Sequence, residues 1–74
     1  MSTSTTKRLV EYHIGRLQDK SVSVRLKAIH ELALLADADS LEALQGVFKN
    51  DPEPDVRRAA QEAGRAIFLK QKNQ

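Results

Sequence analysis

Two ten-residue stretches decide the fold: residues 19–28 read DKSVSVRLKA, and residues 51–60 read DPEPDVRRAA. Aligned with an offset of 32 residues, they share an aspartate, a Val-Arg pair after four intervening residues, and an alanine three residues beyond the arginine. Leu35 and Ile67 continue the match further along the chain. A fixed period is the signature of a repeated structural unit. The sequence therefore predicts two copies of one supersecondary motif.

The hydrophobic pattern predicts four helices, and the composition agrees because good helix formers abound and aromatic residues are only 4% of the chain. The expected spans are 6–17, 22–36, 41–49 and 54–70. Ser21 is the expected cap of the second helix and Asp39 or Ser40 that of the third, while Pro52 and Pro54 predict the turn before the fourth. Short connections make consecutive helices antiparallel neighbours, so we expect an all-α fold of two stacked hairpins.

The shared pattern Asp-x(4)-Val-Arg-x-x-Ala, at the entry of the second helix of each hairpin, resembles the HEAT repeat family. The short unit and the stretch DPEPDVRRAA are similar to the HEAT-like repeats of the phycobilisome lyase type. The resemblance implies a segment of α-α superhelix, with residues 6–36 as the first repeat and 40–70 as a second, C-terminal capping repeat. Polar residues 1–5 are expected to form a disordered tail, and 71–74 to fray.

Arginines occupy the middle of the apolar arcs of the second and fourth helices, where a guanidinium needs a partner. These are Arg25 and Arg57, and Asp19 and Asp51 precede them by six residues in the turns. We expect pairing within a repeat or across the two repeats, and the HEAT resemblance implies a ladder of arginine and aspartate linking them. An anionic ligand at these arginines is the less favoured alternative, because a buried planar fork usually faces a carboxylate of the protein.

The two copies differ on the surface that would face a following repeat. Three apolar residues of the second helix correspond to polar ones in the fourth: Leu26 to Arg58, Ile29 to Gln61, and Ala33 to Arg65. This predicts a solvated outer face, a capping role for the second repeat and a complete two-repeat protein. Arg58, Arg65 and Lys72 also form a basic stripe, which we interpret first as solvated surface and second as a contact for an anionic protein or nucleic acid.

The composition excludes several classes of function. The 74 residues allow one domain, with no room for a deep substrate cavity. The absence of cysteine excludes disulfides, thiolate zinc sites and cysteine nucleophiles. His30-Glu31 begins like the zinc-protease motif, but Leu34 occupies the position of its second histidine, so we predict no metal, no cofactor and no enzymatic activity. Neither a signal peptide nor a membrane span is visible, and the expected location is cytoplasmic.

A stack of helices without catalytic groups is expected to present a surface, so we predict a non-catalytic scaffold or adaptor that binds a protein partner. The resemblance places the second helix of each repeat on a concave face, whose residues are Ser23, Lys27, His30, Leu34, Asp55, Ala59, Glu62 and Ala66. The alternatives are a bilin lyase or phycobilisome-associated accessory protein, and a weak nucleic-acid binder, which the net charge of +2 disfavours. A monomer or weak homodimer is expected.

Overall fold

A computed structural model describes residues 3–72, in which every regular element is helical. Helix α1 spans Thr3–Arg16, α2 Val22–Leu35, α3 Leu41–Asn50 and α4 Pro54–Lys72, with a 3₁₀ turn at Ala38–Ser40 between α2 and α3. The predicted all-α fold of four helices is confirmed.

The helices form two hairpins, α1 with α2 and α3 with α4, which stack mainly through contacts between α2 and α4. Between α1 and α3 the stack opens into a groove of about 720 Å³ lined by Ile14, Ala43 and Val47 among others. The two hairpins therefore meet closely along their second helices and diverge along their first.

One hydrophobic core runs through both hairpins and draws on all four helices. Its buried members are Val10, Leu17, Ala28, Ile29, Leu32, Leu44, Val47, Val56, Ala60, Ala63 and Ile67. The alanines at the α2–α4 contact allow the two second helices to approach, while the larger aliphatic side chains fill the space under α1 and α3.

The bounds of α2 follow from local hydrogen bonds. Ser21 Oγ accepts the Val24 N–H at 3.3 Å, which is the predicted N-cap. The helix ends at Leu35, one residue before the predicted end, because Ala36 adopts a left-handed conformation with φ 52° and donates its N–H to the Leu32 carbonyl.

Both chain ends are more helical than predicted. Helix α1 begins at Thr3, so residues 3–5 of the expected tail are helical, and α4 continues to Lys72. A contact to the body anchors each end: Lys7 pairs with Asp39 of the 3₁₀ turn, and Gln71 Nε2 donates to the Ala36 carbonyl at 3.0 Å. Once these turns are held, each further helical residue adds a hydrogen bond. Residues 1–2 and 73–74 of the expected tails lie outside the described residues.

The link between the hairpins differs in part from its prediction: Ser40 occupies the N-cap position of α3, but its side chain makes no capping hydrogen bond. Ser40 is fully buried, and its Oγ donates to the Asp37 carbonyl at 2.7 Å. Asp37 instead accepts the Asp39 N–H at 2.8 Å, which fixes the 3₁₀ turn. The same turn holds Lys7, and the hydrogen bond with Asp39 raises the pKa of Lys7, so Lys7 stays charged at neutral pH and the pair weakens as pH rises through that raised value.

Candidate protein-binding surface

A buried arginine joins the two turns of the stack. Arg25 donates from Nε to Asp51 Oδ2 at 2.8 Å and from Nη2 to Asp51 Oδ1 at 3.2 Å, a bidentate pair across the repeats. Its Nη1 donates to the carbonyls of Asp19 at 2.7 Å and Lys20 at 3.1 Å. The side chains of Arg25 and Asp51 are only 10% and 6% exposed. The guanidinium therefore links the second repeat to the first through charge-assisted hydrogen bonds.

The two aspartates play a local role as well. Asp19 Oδ1 accepts the Ser21 N–H at 2.9 Å, and Asp51 Oδ1 accepts the Glu53 N–H at 3.0 Å, so each carboxylate fixes the turn before a second helix. Asp19 contacts Arg25 through its backbone carbonyl rather than its carboxylate. Of the two pairings that the sequence left open, the carboxylate pair of Arg25 is the one across the repeats, with Asp51, and the contact within the repeat is to the main chain of Asp19.

Arg57 repeats half of the Arg25 arrangement. Its Nη1 donates to the Asp51 carbonyl at 2.8 Å, as Arg25 does to Asp19, but within residues 3–72 it has no carboxylate partner. Arg57 is half-buried. The four residues of the expected ladder thus form one connected group. Arg25 and Asp51 make the complete pair between the repeats, and Arg57 is left with Nε and Nη2 unpaired among the described residues.

A shallow groove runs between α2 and α4, where the family resemblance predicts the concave face. The α2–α4 groove has a volume of about 390 Å³ and is lined by Leu26, Ile29, His30, Ala33, Ala59, Glu62, Ala63 and Ala66. Its floor is aliphatic and rich in alanine, and His30 and Glu62 supply polar groups on opposite helices. Four of the eight predicted concave-face residues therefore line one groove.

The other predicted concave-face residues lie outside this groove. Ser23, Leu34 and Asp55 are exposed, and Leu34 is 66% exposed, the largest value among the exposed large hydrophobic side chains. Lys27 lies on the other side of α2, in a smaller groove against Tyr12 and Arg16 of α1. The structure thus divides the predicted site into an apolar groove, three exposed residues outside it, and Lys27 at a separate groove against α1.

The outer surface of the second repeat carries a groove that the sequence interpretation missed. The α3–α4 groove, about 290 Å³, is lined by Leu41, Leu44, Gln45, Phe48, Ala60, Gln61, Gly64, Arg65 and Phe68. Phe48 is 39% exposed and Phe68 is 56% exposed. The residues expected to give a solvated outer face, Arg58, Gln61 and Arg65, are exposed as expected, but two phenylalanines share that surface. The signal lay in the offset of 32, where Leu32 corresponds to Gly64 and Ala36 to Phe68.

The three glycines do not lie where helices approach one another closely. A Cβ built on Gly15, Gly46 or Gly64 meets nothing within 4 Å outside its own helix. Gly15 and Gly46 line the opening between α1 and α3, and Gly64 lines the α3–α4 groove. They therefore widen grooves rather than close them.

The basic stripe is exposed along its length, since Arg58, Arg65 and Lys72 all lie on the outside of α4. Arg58 approaches Asp55 Oδ1 at 3.9 Å, which partly offsets its charge.

Across residues 3–72, no cluster of three or more histidine, aspartate or glutamate side chains is positioned to hold a metal ion. None of the helices in that range has the length and apolar character that crossing a membrane requires.

The chain belongs to the HEAT repeat family, because the family model for HEAT repeats matches residues 4–64. This confirms the family resemblance found in the turn motifs. Comparison with curated proteins gives no match, and comparison with solved structures gives none. HEAT repeats generally mediate protein–protein interactions.

Proposed function

We propose that this protein is a non-catalytic protein-interaction module, a HEAT-like scaffold or adaptor, that binds its partner through the concave face. The observation that carries the proposal is the α2–α4 groove, where His30, Ala59, Glu62 and Ala66 come together over an aliphatic floor. Protein interfaces combine an apolar centre with a polar rim, and this groove has both.

The shape of the groove suits side chains projecting from a partner helix. Alanines on both helices keep the floor shallow, so the groove is open along its length rather than closed around a small molecule. Leu34 projects into solvent beside it and adds apolar area that an amphipathic partner helix would cover. His30 and Glu62 then set orientation through hydrogen bonds and charge.

The closer similarity to the phycobilisome lyase type stays a prediction that rests on the turn motifs. A bilin-related accessory role would appear as a change in tetrapyrrole absorbance when the pigment is mixed with the protein. A cytoplasmic adaptor with no bilin contact would leave that spectrum unchanged.

The proposal is tested by blocking the groove without disturbing the core. Partners recovered from an extract of the native host are titrated against the wild-type chain and against Ala66→Arg combined with Glu62→Lys. Both residues are exposed, so helicity and melting temperature should not change, while affinity should fall about tenfold.

A matched control places charge changes on the outside of α4. Arg58→Glu with Arg65→Glu alters the basic stripe and leaves the α2–α4 groove residues His30, Glu62 and Ala66 intact. Binding that survives the groove variant but is lost in this control would move the site from the concave face to the basic stripe. A steep loss of affinity with salt would accompany it if the ligand were a nucleic acid.

A further inference from the structure

The two repeats expose corresponding surfaces to different environments. In α2 the stripe of Arg25, Ile29 and Leu32 is buried, and it meets the second repeat where Arg25 pairs with Asp51 and where Ile29 lines the α2–α4 groove. With the offset of 32, its counterpart in α4 is Arg57, Gln61 and Gly64. No element of residues 3–72 covers that counterpart, since Gln61 is exposed and Gly64 faces open space. We call the exposed surface of α3 and α4 around these residues the C-terminal face.

Arg57 is positioned to receive a carboxylate. Its Nη1 is fixed on the Asp51 carbonyl at 2.8 Å, matching the bond of Arg25 Nη1 to the Asp19 carbonyl at 2.7 Å. In Arg25 this leaves Nε and Nη2 to bind the carboxylate of Asp51. In Arg57 the same two nitrogens have no protein partner among the described residues. The Arg25–Asp51 pair therefore indicates that the group suited to Arg57 Nε and Nη2 is a carboxylate.

Apolar and basic groups surround the open fork. Gln61 and Gly64 follow Arg57 by one and two turns on the same side of α4, and they line the α3–α4 groove together with Phe48 and Phe68. Arg58, Arg65 and Lys72 flank it and add positive charge. The C-terminal face thus combines an apolar groove with an excess of cations.

We propose that the C-terminal face binds a helical hairpin of another protein that carries an aspartate in its turn and acidic residues along its second helix. The aspartate pairs with Arg57 as Asp51 pairs with Arg25. The acidic residues face Arg58 and Arg65, and apolar side chains of the hairpin enter the α3–α4 groove. This proposal concerns a second surface for the same kind of partner as the proposed function, on the outside of the stack rather than on its concave face.

A second copy of the chain is the less suitable occupant. It would present Asp19 to Arg57, but it would also bring Lys27, the counterpart of Ala59, toward Arg58. Ala59 shares the α2–α4 groove with Leu26, whose own counterpart is Arg58. Two cations would therefore meet where an alanine and a leucine meet within the molecule, which opposes stacking of identical chains.

Reversing the charge of Lys27 turns the chain itself into a probe for the C-terminal face. The variant Lys27→Glu keeps the turn aspartate Asp19 and replaces the opposing cation with a carboxylate on the exposed surface of α2, one turn before Glu31, so it mimics the proposed partner. Adding Arg57→Gln to the same chain disables its own C-terminal face and prevents it from stacking on itself. Circular dichroism and thermal melting confirm that the doubly substituted probe is folded.

The experiment titrates this probe into isotope-labelled wild-type chain and follows the Arg57 Nε–H and Gly64 amide resonances. We expect both to shift on binding. Affinity should fall about tenfold or more when the labelled chain carries Arg57→Gln, because truncation removes one side of a hydrogen-bonded charge pair. Lys70→Gln is the matched control and should change affinity by less than about threefold, since Lys70 is exposed and lies on a different side of α4 from Arg57.

Four results would overturn the proposal. The first is no shift at probe concentrations up to about 1 mM. The second is an equal loss of affinity in Arg57→Gln and Lys70→Gln, which would indicate diffuse attraction rather than a built site. The third is self-association of the wild-type chain that Arg57→Gln abolishes, which would make a second copy the occupant. The fourth is a set of shifts at His30 and Ala66 instead of Gly64. The groove variant of the concave face leaves Arg57 unaltered, so the two proposals fail separately.

Discussion

The turns of the two repeats carry the same aspartate and arginine but hold them in different surroundings. The side chain of Arg25 makes four hydrogen bonds and is buried, whereas the side chain of Arg57 makes one and the residue is half-buried. The local geometry is the same in both copies, since each arginine donates Nη1 to the carbonyl of the aspartate six residues earlier. What differs is the presence of a neighbouring repeat. The same motif is therefore a structural link in the first repeat, whereas in the second repeat it leaves Arg57 Nε and Nη2 without a partner among the described residues.

The largest expected effect separates these two arginines. Arg25→Ala should reduce the free energy of unfolding by about 2–4 kcal/mol, because it removes a buried cation and leaves Asp51 without its partner. Arg57→Ala should cost about 1 kcal/mol, the value of a single hydrogen bond. Chemical denaturation followed by circular dichroism measures both. Equal losses would show that the neighbouring repeat does not set the role of the arginine.

A smaller difference is expected between the two aspartates. Asn at either position still accepts the N–H two residues on, so the turns are preserved while the charge is removed. Asp51→Asn should cost about 1–3 kcal/mol, because it weakens the bidentate pair with Arg25. Asp19→Asn should stay within about 0.5 kcal/mol, since the amide keeps the bond to the Ser21 N–H and the Asp19 carboxylate has no ion pair among the described residues. A large loss in Asp19→Asn would place an unrecognised partner on that carboxylate.

The sequence predicts the helices and their stacking because those features depend on local and periodic signals. Ser21 and Pro54 specify helix starts through capping and backbone restriction, and the offset of 32 specifies two equivalent hairpins. The start of α1 at Thr3 and the 3₁₀ turn were not predictable in this way. The start of α1 is held by the contact of Lys7 with Asp39, which joins residues distant in the chain, and in the turn the Asp37 side chain accepts the Asp39 N–H, where a cap on α3 was expected.

The sequence is less informative about the candidate sites, because exposure depends on what packs nearby. Phe48 has the helical spacing of a core residue, yet it lies on an open surface. Lys27 and His30 are close in sequence and both exposed, yet they border different grooves on the two sides of α2. Only the arrangement of neighbouring helices separates these cases.

Gly64 tests whether the C-terminal face is uncovered in solution, since its counterpart in the first repeat, Leu32, is fully buried. Gly64→Ala should raise the free energy of unfolding by about 0.5–1 kcal/mol, because alanine favours helix and its Cβ meets nothing within 4 Å. Thermal and chemical denaturation against wild type measure the gain. Gly46→Ala, also in an open groove, is the control and should behave alike. Destabilisation in Gly64→Ala alone would show that this part of α4 is covered in solution.

The smallest effect is expected at Arg58, which lies next to Arg57 in sequence but points away from the turn. Its side chain is 68% exposed, and its contact with Asp55, which is 81% exposed, is 3.9 Å long, so solvent screens the attraction. Arg58→Ala should therefore change the free energy of unfolding by less than about 0.5 kcal/mol, and the change should diminish further in high salt. The measurement pairs naturally with Arg25→Ala in the same denaturation series. If both substitutions lowered the melting temperature equally, burial in the turn could not be the reason that Arg25 matters, and the assignment of Arg25 and Asp51 as the link between repeats would be wrong.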